Sequence, residues 1–187
     1  MAPKRKITKE EILSGALELA KTDPEKAWNA RALAAHLGIS TQPIFTHFSG
    51  MEEVKESVLR RVAALFEARM QEEIKAEKYP AYKASGMAYV AFAREEPALF
   101  RLLYMRSRRD VKEEDDKLLE MVWGFVKDQT GLVGDKVKLF HLEMWSCVHG
   151  IATMIATGYL DLDEEAVSMI LSDLYHGLVK KEKEAAQ

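Results

Sequence analysis

Side chains capable of catalysis are present in this chain, but their spacing defeats each familiar chemistry. His141 and Glu143 flank Leu142, whereas a zinc-holding helix needs two histidines one turn apart with a glutamate beside the first. Cys147 is the lone cysteine. It can form neither an internal disulfide nor a zinc-ligand set, and between Trp145 and Val148 it reads as a buried, inert thiol. Asp161, Asp163, Glu164 and Glu165 crowd one turn, where Asp163 is better explained as a helix cap. Neither a phosphate-cradling glycine loop nor a G-x-S-x-G elbow occurs. No catalytic residue, metal or cofactor is expected, and the enzyme class falls behind.

Recognition chemistry is better served. Asn29–Phe48 reads as two short helices joined by the tight turn Leu37-Gly38-Ile39-Ser40. Asn29 caps Ala30–Leu37, whose apolar side is Ala30, Leu33, Ala34 and Leu37; Ala34 is small enough to let two helices cross closely. Gly38 is expected in the left-handed conformation that ends a helix, with Ile39 plugging the space behind it. Ser40 is expected to cap the second helix, Thr41 to about His47, with Pro43 in the first turn, where its missing N–H costs little. This is a helix-turn-helix layout, whose second helix enters the major groove of DNA. An ordinary antiparallel helix pair would satisfy the same spacing.

The elements around that segment are helical throughout. Sustained period-2 alternation and Asn-Gly or Asp-Gly hairpin turns are lacking, whereas the i, i+3, i+4 pattern is strong. Thr8 and Glu11 form a capping box for a first helix with the stripe Ile12, Ala16, Leu19 and Ala20, ending at the breaker run Thr22-Asp23-Pro24. A long helix starts at the cap Ser49-Gly50-Met51-Glu52 and runs toward Lys78. Pro80 and Pro97 bound a fifth. Leu99–Met105, Asp115–Gln129, Val137–Ala156 and Glu164 to about Lys181 follow, and Lys180–Glu184 forms a charged tail. The fold class expected is all-α with about nine helices, in two lobes covering residues 1–50 and 51–187.

Charge divides unevenly. Residues 1–61 carry ten Lys/Arg against eight Asp/Glu, and the remainder 17 against 22. The slight positive excess places an anionic partner at the amino-terminal part, helped by a small basic arm, Lys4, Arg5, Lys6 and Lys9. A solvated terminus is the plainer reading of that arm. No apolar run follows the basic start, and the longest apolar segment, Gly150–Leu160, is about half of the ~20 residues of a membrane span. A soluble, cytoplasmic protein without a membrane partner is expected.

Taken together, Ile12 and Ala16, Arg31-Ala32-Leu33-Ala34, Leu37-Gly38-Ile39-Ser40, Ile44-Phe45-Thr46-His47-Phe48 and Ser49-Gly50-Met51-Glu52-Glu53-Val54 resemble the TetR (tetracycline-repressor-like) family of bacterial regulators over residues 8–60. Pro97-Ala98-Leu99-Phe100-Arg101-Leu102-Leu103 and Trp145-Ser146-Cys147-Val148-His149-Gly150-Ile151-Ala152 are similar to one class of carboxy-terminal domain in that family. The resemblance implies residues 1–50 as a DNA-binding domain and 51–187 as an effector-binding and dimerisation domain. It also implies a homodimer on a near-palindromic double-stranded operator, usually as a repressor released by a small effector.

The resemblance further implies contacts to DNA from Thr41, Gln42 and Pro43, with Gln42 the best base reader because an amide pairs bidentately with adenine. Thr41, Thr46 and His47 suit phosphates; Asn29, Arg31, Ser40, Phe45 and Lys55 complete the expected interface. Two departures weaken it: Phe45 stands where the family commonly has Tyr, and Met51 where it commonly has Lys, a role that falls to Lys55 or to backbone N–H groups at that helix start. Those departures leave open a helical interaction scaffold that has lost DNA binding.

Two further sets are expected in the carboxy-terminal part. Met87, Tyr89, Phe92, Phe100, Leu103, Tyr104, Met121, Trp123, Phe125, Trp145, His149 and Met154 are soft or aromatic and could line an apolar effector cavity, or equally form solid core. His149 is the titratable member, and a structural histidine is its plainer reading. Val148, Ile151, Ile155, Val167, Ile170, Leu171, Leu174 and Leu178 form stripes on the last two helices, which would pair between protomers as a four-helix bundle or pack inside one subunit.

Overall fold

A computed structural model of the protein describes residues 6–106 and 116–185. Among them are ten α-helices and no strand: α1 (Lys9–Thr22), α2 (Pro24–Ala27), α3 (Ala30–His36), α4 (Gln42–His47), α5 (Met51–Lys75), α6 (Ala81–Glu95), α7 (Pro97–Tyr104), α8 (Asp116–Thr130), α9 (Asp135–Ala156) and α10 (Glu164–Glu184). Lys4 and Arg5 of the basic arm, and Asp115 at the expected start of α8, lie outside the described residues. No helix among those described is long and apolar enough to cross a membrane.

The expected caps at three helix starts are in place. Thr8 and Glu11 bond reciprocally at α1, Asn29 Oδ1 accepts the N–H groups of Arg31 and Ala32 at α3, and Asp163 Oδ1 accepts the Ala166 N–H at α10. The short helix α2 is an addition to the nine expected. Asp23 N–H donates to Leu19 O at the end of α1, while Asp23 Oδ1 accepts the Lys26 N–H and Pro24 fills the first position of α2. One breaker run therefore ends one helix and starts the next. The charged tail likewise continues α10, tied to α9 by Lys181–Glu143 at 2.8 Å and Lys136–Glu182 at 3.0 Å.

The described residues divide into two compact units. The first holds the chain as far as Ala64 together with Leu102–Met105; the second holds Leu65–Arg101 and the chain from Arg106 onward. α5 thus contributes to both. In the first, α1, α2, α3 and α4 pack around Ile12, Ala16, Ala27, Leu33 and Ile44, each fully buried. Gly15 is also buried in α1, against the side chain of Leu37.

In the second unit α6 is the central helix, packed on α8, α9 and α10. Gly86 brings it close to its neighbours: a Cβ there would stand 3.3 Å from Leu171 Cδ1 and 3.5 Å from Val148 Cγ2. Tyr82, Val122, Val126, Val137, Phe140 and Met144 make one apolar cluster. Phe66, Tyr89, Phe92 and Phe100 make an aromatic one, with ring centroids 5.3–5.6 Å apart.

Candidate nucleic-acid interface

The turn between α3 and α4 follows from a single glycine. Gly38 has φ +66°, its N–H donates to Ala35 O, and the Ile39 N–H reaches back to Ala34 O at 2.9 Å. This paired closure satisfies the last carbonyls of α3 and turns the chain sharply into α4. Ala34 is buried, as a close helix crossing requires, and Ile39 is half-buried. The capping expectation for Ser40 needs correction. α4 begins at Gln42, the residue at its N-cap is Thr41, and no side chain caps it. Pro43 in the first turn lacks an N–H, which lowers the need for such a cap.

α4 has two contrasting sides. Ile44 is fully buried and Phe48 almost so, which anchors the helix. Gln42, Phe45 and Thr46 are exposed, Phe45 to 51%. Pro43 and Thr41 are intermediate; Ser40, Asn29 and Arg31 are exposed. The outer side therefore carries an amide, a phenyl ring and a hydroxyl. The Thr46 hydroxyl donates to Gln42 O and keeps its lone pairs for a donor.

Several expected contact groups are already engaged within the unit. His47 Nε2 donates to Ile7 O at 3.0 Å, which holds the residue before α1 to the end of α4. Lys9 lies 4.6 Å over the Phe48 ring and 3.2 Å from Glu53. Lys55 is 3.6 Å from Glu52. The Glu53 carboxyl accepts the Ser49 N–H at 2.7 Å and the Ser49 hydroxyl at 2.9 Å. These bonds, the backbone one first, hold its pKa below the ordinary carboxylate value, with Lys9 adding to them. A carboxylate thus sits at the start of α5, and sequence reasoning missed it. The signal was the pair Ser49 and Glu53 four residues apart.

The residues expected to line an effector cavity are placed in several environments. Met87, Phe92 and Phe100 are buried in side-chain core. Leu103 and Tyr104 cluster with the first unit rather than with the others. Met121, Phe125 and Met154 are half-buried. Trp145 is 36% exposed and stacks on His149, centroids 4.7 Å apart and planes at 16°. The hydroxyl of buried Tyr89 hydrogen-bonds His149 Nδ1 at 2.9 Å; Tyr82 and His141 form a second such pair at 3.1 Å. Burial lowers the pKa of both histidines and raises that of Tyr82. Cys147 is half-buried rather than fully enclosed, and its thiol is pushed up by burial. Trp123 belongs to a different feature, a shallow cleft where α8 turns into α9.

The stripes expected at a dimer interface also divide. Val148, Ile151, Val167 and Leu171 are buried in the chain's own core, and Leu174 and Leu178 pack against the cluster around Tyr82 and Phe140. Ile155 is half-buried and Ile170 is 37% exposed. The large apolar side chains left in water on these helices are Ile170, one of the expected residues, together with Leu139, Leu142 and Trp145 of α9 and Met169 of α10, which are not among them.

Comparison with known proteins agrees with this architecture. Residues 82–175 match the family described as "Tetracyclin repressor-like, C-terminal domain". The HTH-type transcriptional regulator Rv0681 of Mycobacterium tuberculosis is 23% identical over 170 residues, covering 87% of this chain and 77% of that protein. A crystal structure of a TetR-like transcriptional regulator from Rhodococcus sp. RHA1 superimposes with a TM-score of 0.69 at 14% identity, covering 91% of this chain and 94% of that one. With a helix-turn-helix at one end and the family's carboxy-terminal domain over half its length, the chain belongs to the TetR family of transcriptional regulators.

Proposed function

We propose that the protein is a homodimeric, sequence-specific DNA-binding repressor whose α4 lies in the major groove of a near-palindromic operator. One observation carries this reading: α4 is anchored by Ile44 and Phe48 while Gln42, Phe45 and Thr46 face solvent. The Gln42 amide suits adenine and the Phe45 ring a thymine methyl, so the two favour A·T pairs. Thr41, Thr46, Arg31 and Lys55 suit phosphates, which fix position without specifying sequence. His47 serves to hold the helix, through Ile7, more than to touch DNA.

Dimerisation is assigned to the exposed apolar side of α9 and α10. Leu139, Leu142 and Trp145 recur three residues apart on α9, and Met169 and Ile170 stand on the helix packed beside it. Two such pairs make an intermolecular four-helix bundle that removes these side chains from water and presents two α4 helices to two half-sites. Release by a small effector bound in the carboxy-terminal unit completes the reading.

Selection of bound sequences from a random DNA pool tests it. The expected product is an inverted repeat, bound with a log affinity that falls linearly against log salt as phosphate contacts release counterions. No enrichment and no salt-sensitive binding would instead fit a helical scaffold that has lost DNA recognition.

A further inference from the structure

The cleft between the end of α8 and the start of α9 has a volume of about 250 Å³, and Trp123, Gly124, Lys127, Val133, Gly134, Val137 and Lys138 line it. We propose that it binds a small aromatic carboxylate, the ring lying against Trp123 and the valines and the anion meeting the two lysines. This inference concerns binding by the carboxy-terminal unit alone and stands apart from the assignment of α4 to DNA.

Size and shape come first. An apolar cavity of roughly 150 Å³ takes benzene, so this cleft has room for a fused ring or for one ring and its substituent. Two glycines keep it open. A Cβ on Gly124 would meet nothing within 4 Å, and the same holds at Gly134, whose φ of +62° fixes the turn into α9. Any larger residue at Gly124 would extend into that space.

The polar groups give the charge. Trp123 lines the cleft with its indole ring, the aromatic wall against which a flat ligand would lie. Lys138 holds its ammonium 5.5 Å over the same indole ring and 3.6 Å from the exposed Asp135, a screened pair that leaves much of its charge available. Lys127 has no carboxylate within ion-pair distance among the described residues. Aromatic wall, apolar valines and two lysines together fit a flat apolar body carrying one negative charge.

Isothermal titration of the full chain with naphthoate, and with naphthylmethanol as its neutral counterpart, tests the inference. Naphthoate is expected to bind saturably, one molecule per chain, and the alcohol to give no saturable heat. Gly124→Leu fills the cleft and abolishes binding, while Lys127→Gln weakens it by up to about fivefold, the range of one exposed ion pair. Thermal unfolding of each variant establishes that it folds. Should Gly124→Leu not fold, Trp123→Ala replaces it, removing the aromatic wall of the cleft, and must weaken binding. The inference is overturned by absent naphthoate binding, by equal binding of the alcohol, or by affinity that survives both the cleft variant and Lys127→Gln. DNA affinity, measured separately, does not bear on any of these results.

Discussion

Gly15 of α1 lies directly against Leu37, the residue that ends α3, so closely that a Cβ at position 15 would overlap the leucine side chain, with Leu37 Cγ only 3.2 Å away. The glycine thereby sets how near α1 comes to the helix-turn-helix. Gly15→Ala would gain up to about 1 kcal/mol of helix propensity, yet it forces Leu37 aside at an overpacking cost of about 1–3 kcal/mol. Net destabilisation of the first unit is expected. Gly124→Ala in α8, where the new methyl meets nothing, should keep the propensity gain. Thermal unfolding followed by circular dichroism should move the two variants in opposite directions.

Gln42→Ala should lower affinity for the best-selected DNA by about 1–3 kcal/mol and relax preference at one base position per half-site. Repeating the pool selection with the variant reads this directly. Uniform weakening across all sequences would reassign Gln42 to positioning.

α9 should respond to substitution according to the side of the helix that is changed. Leu142 is 55% exposed whereas Val148 is 6% exposed and packed near Gly86. Leu142→Glu is expected to yield a folded monomer in sedimentation velocity with unchanged thermal stability at equal monomer content. Val148→Ala is expected to lose about 1–3 kcal/mol through a core cavity and to remain dimeric. A dimer that survives Leu142→Glu would move the interface elsewhere.

Stability should fall on mild acidification. Burial holds His141 and His149 below the ordinary imidazole value of 6.5, so each binds its proton less readily in the folded chain. As pH drops through about 6.5 the unfolded chain protonates first, and the stability present above that value declines. The melting temperature of the wild type should fall across this window, and His141→Gln and His149→Gln should each flatten the decline. Identical slopes in all three proteins would place the titrating groups elsewhere.

Local structure was legible in the sequence where a side chain acts on backbone within a few residues. Thr8 with Glu11, Asn29, Gly38 and Asp163 all do so, and each ends or starts a helix as expected. The same local logic misled at Asp23-Pro24, because a stop signal for α1 doubles as a start signal for α2. It misled at Ser40 because Pro43 eases the start of α4.

Which apolar side of a helix faces inward was less accessible. α9 is apolar on more than one side, so periodicity identifies stripes without saying which one α6 covers. Val148 and Ile151 went to the core, and Leu139 and Leu142 to water. Contacts between distant residues, such as His47 with Ile7 or Tyr89 with His149, leave no local signature at all.

The bond from His47 to Ile7 has a practical corollary. It makes Ile7, just ahead of α1, a clasp on the tail of α4, so that residue is a structural component of the helix's seat. Proteolytic trimming that removes Ile7, or an affinity tag that pulls on it, would release the imidazole and let the carboxy-terminal turn of α4 fray. Preparations differing only at that end would then be expected to disagree in how firmly α4 keeps its place, and, on the proposed reading, in DNA affinity, although every exposed residue of α4 is the same.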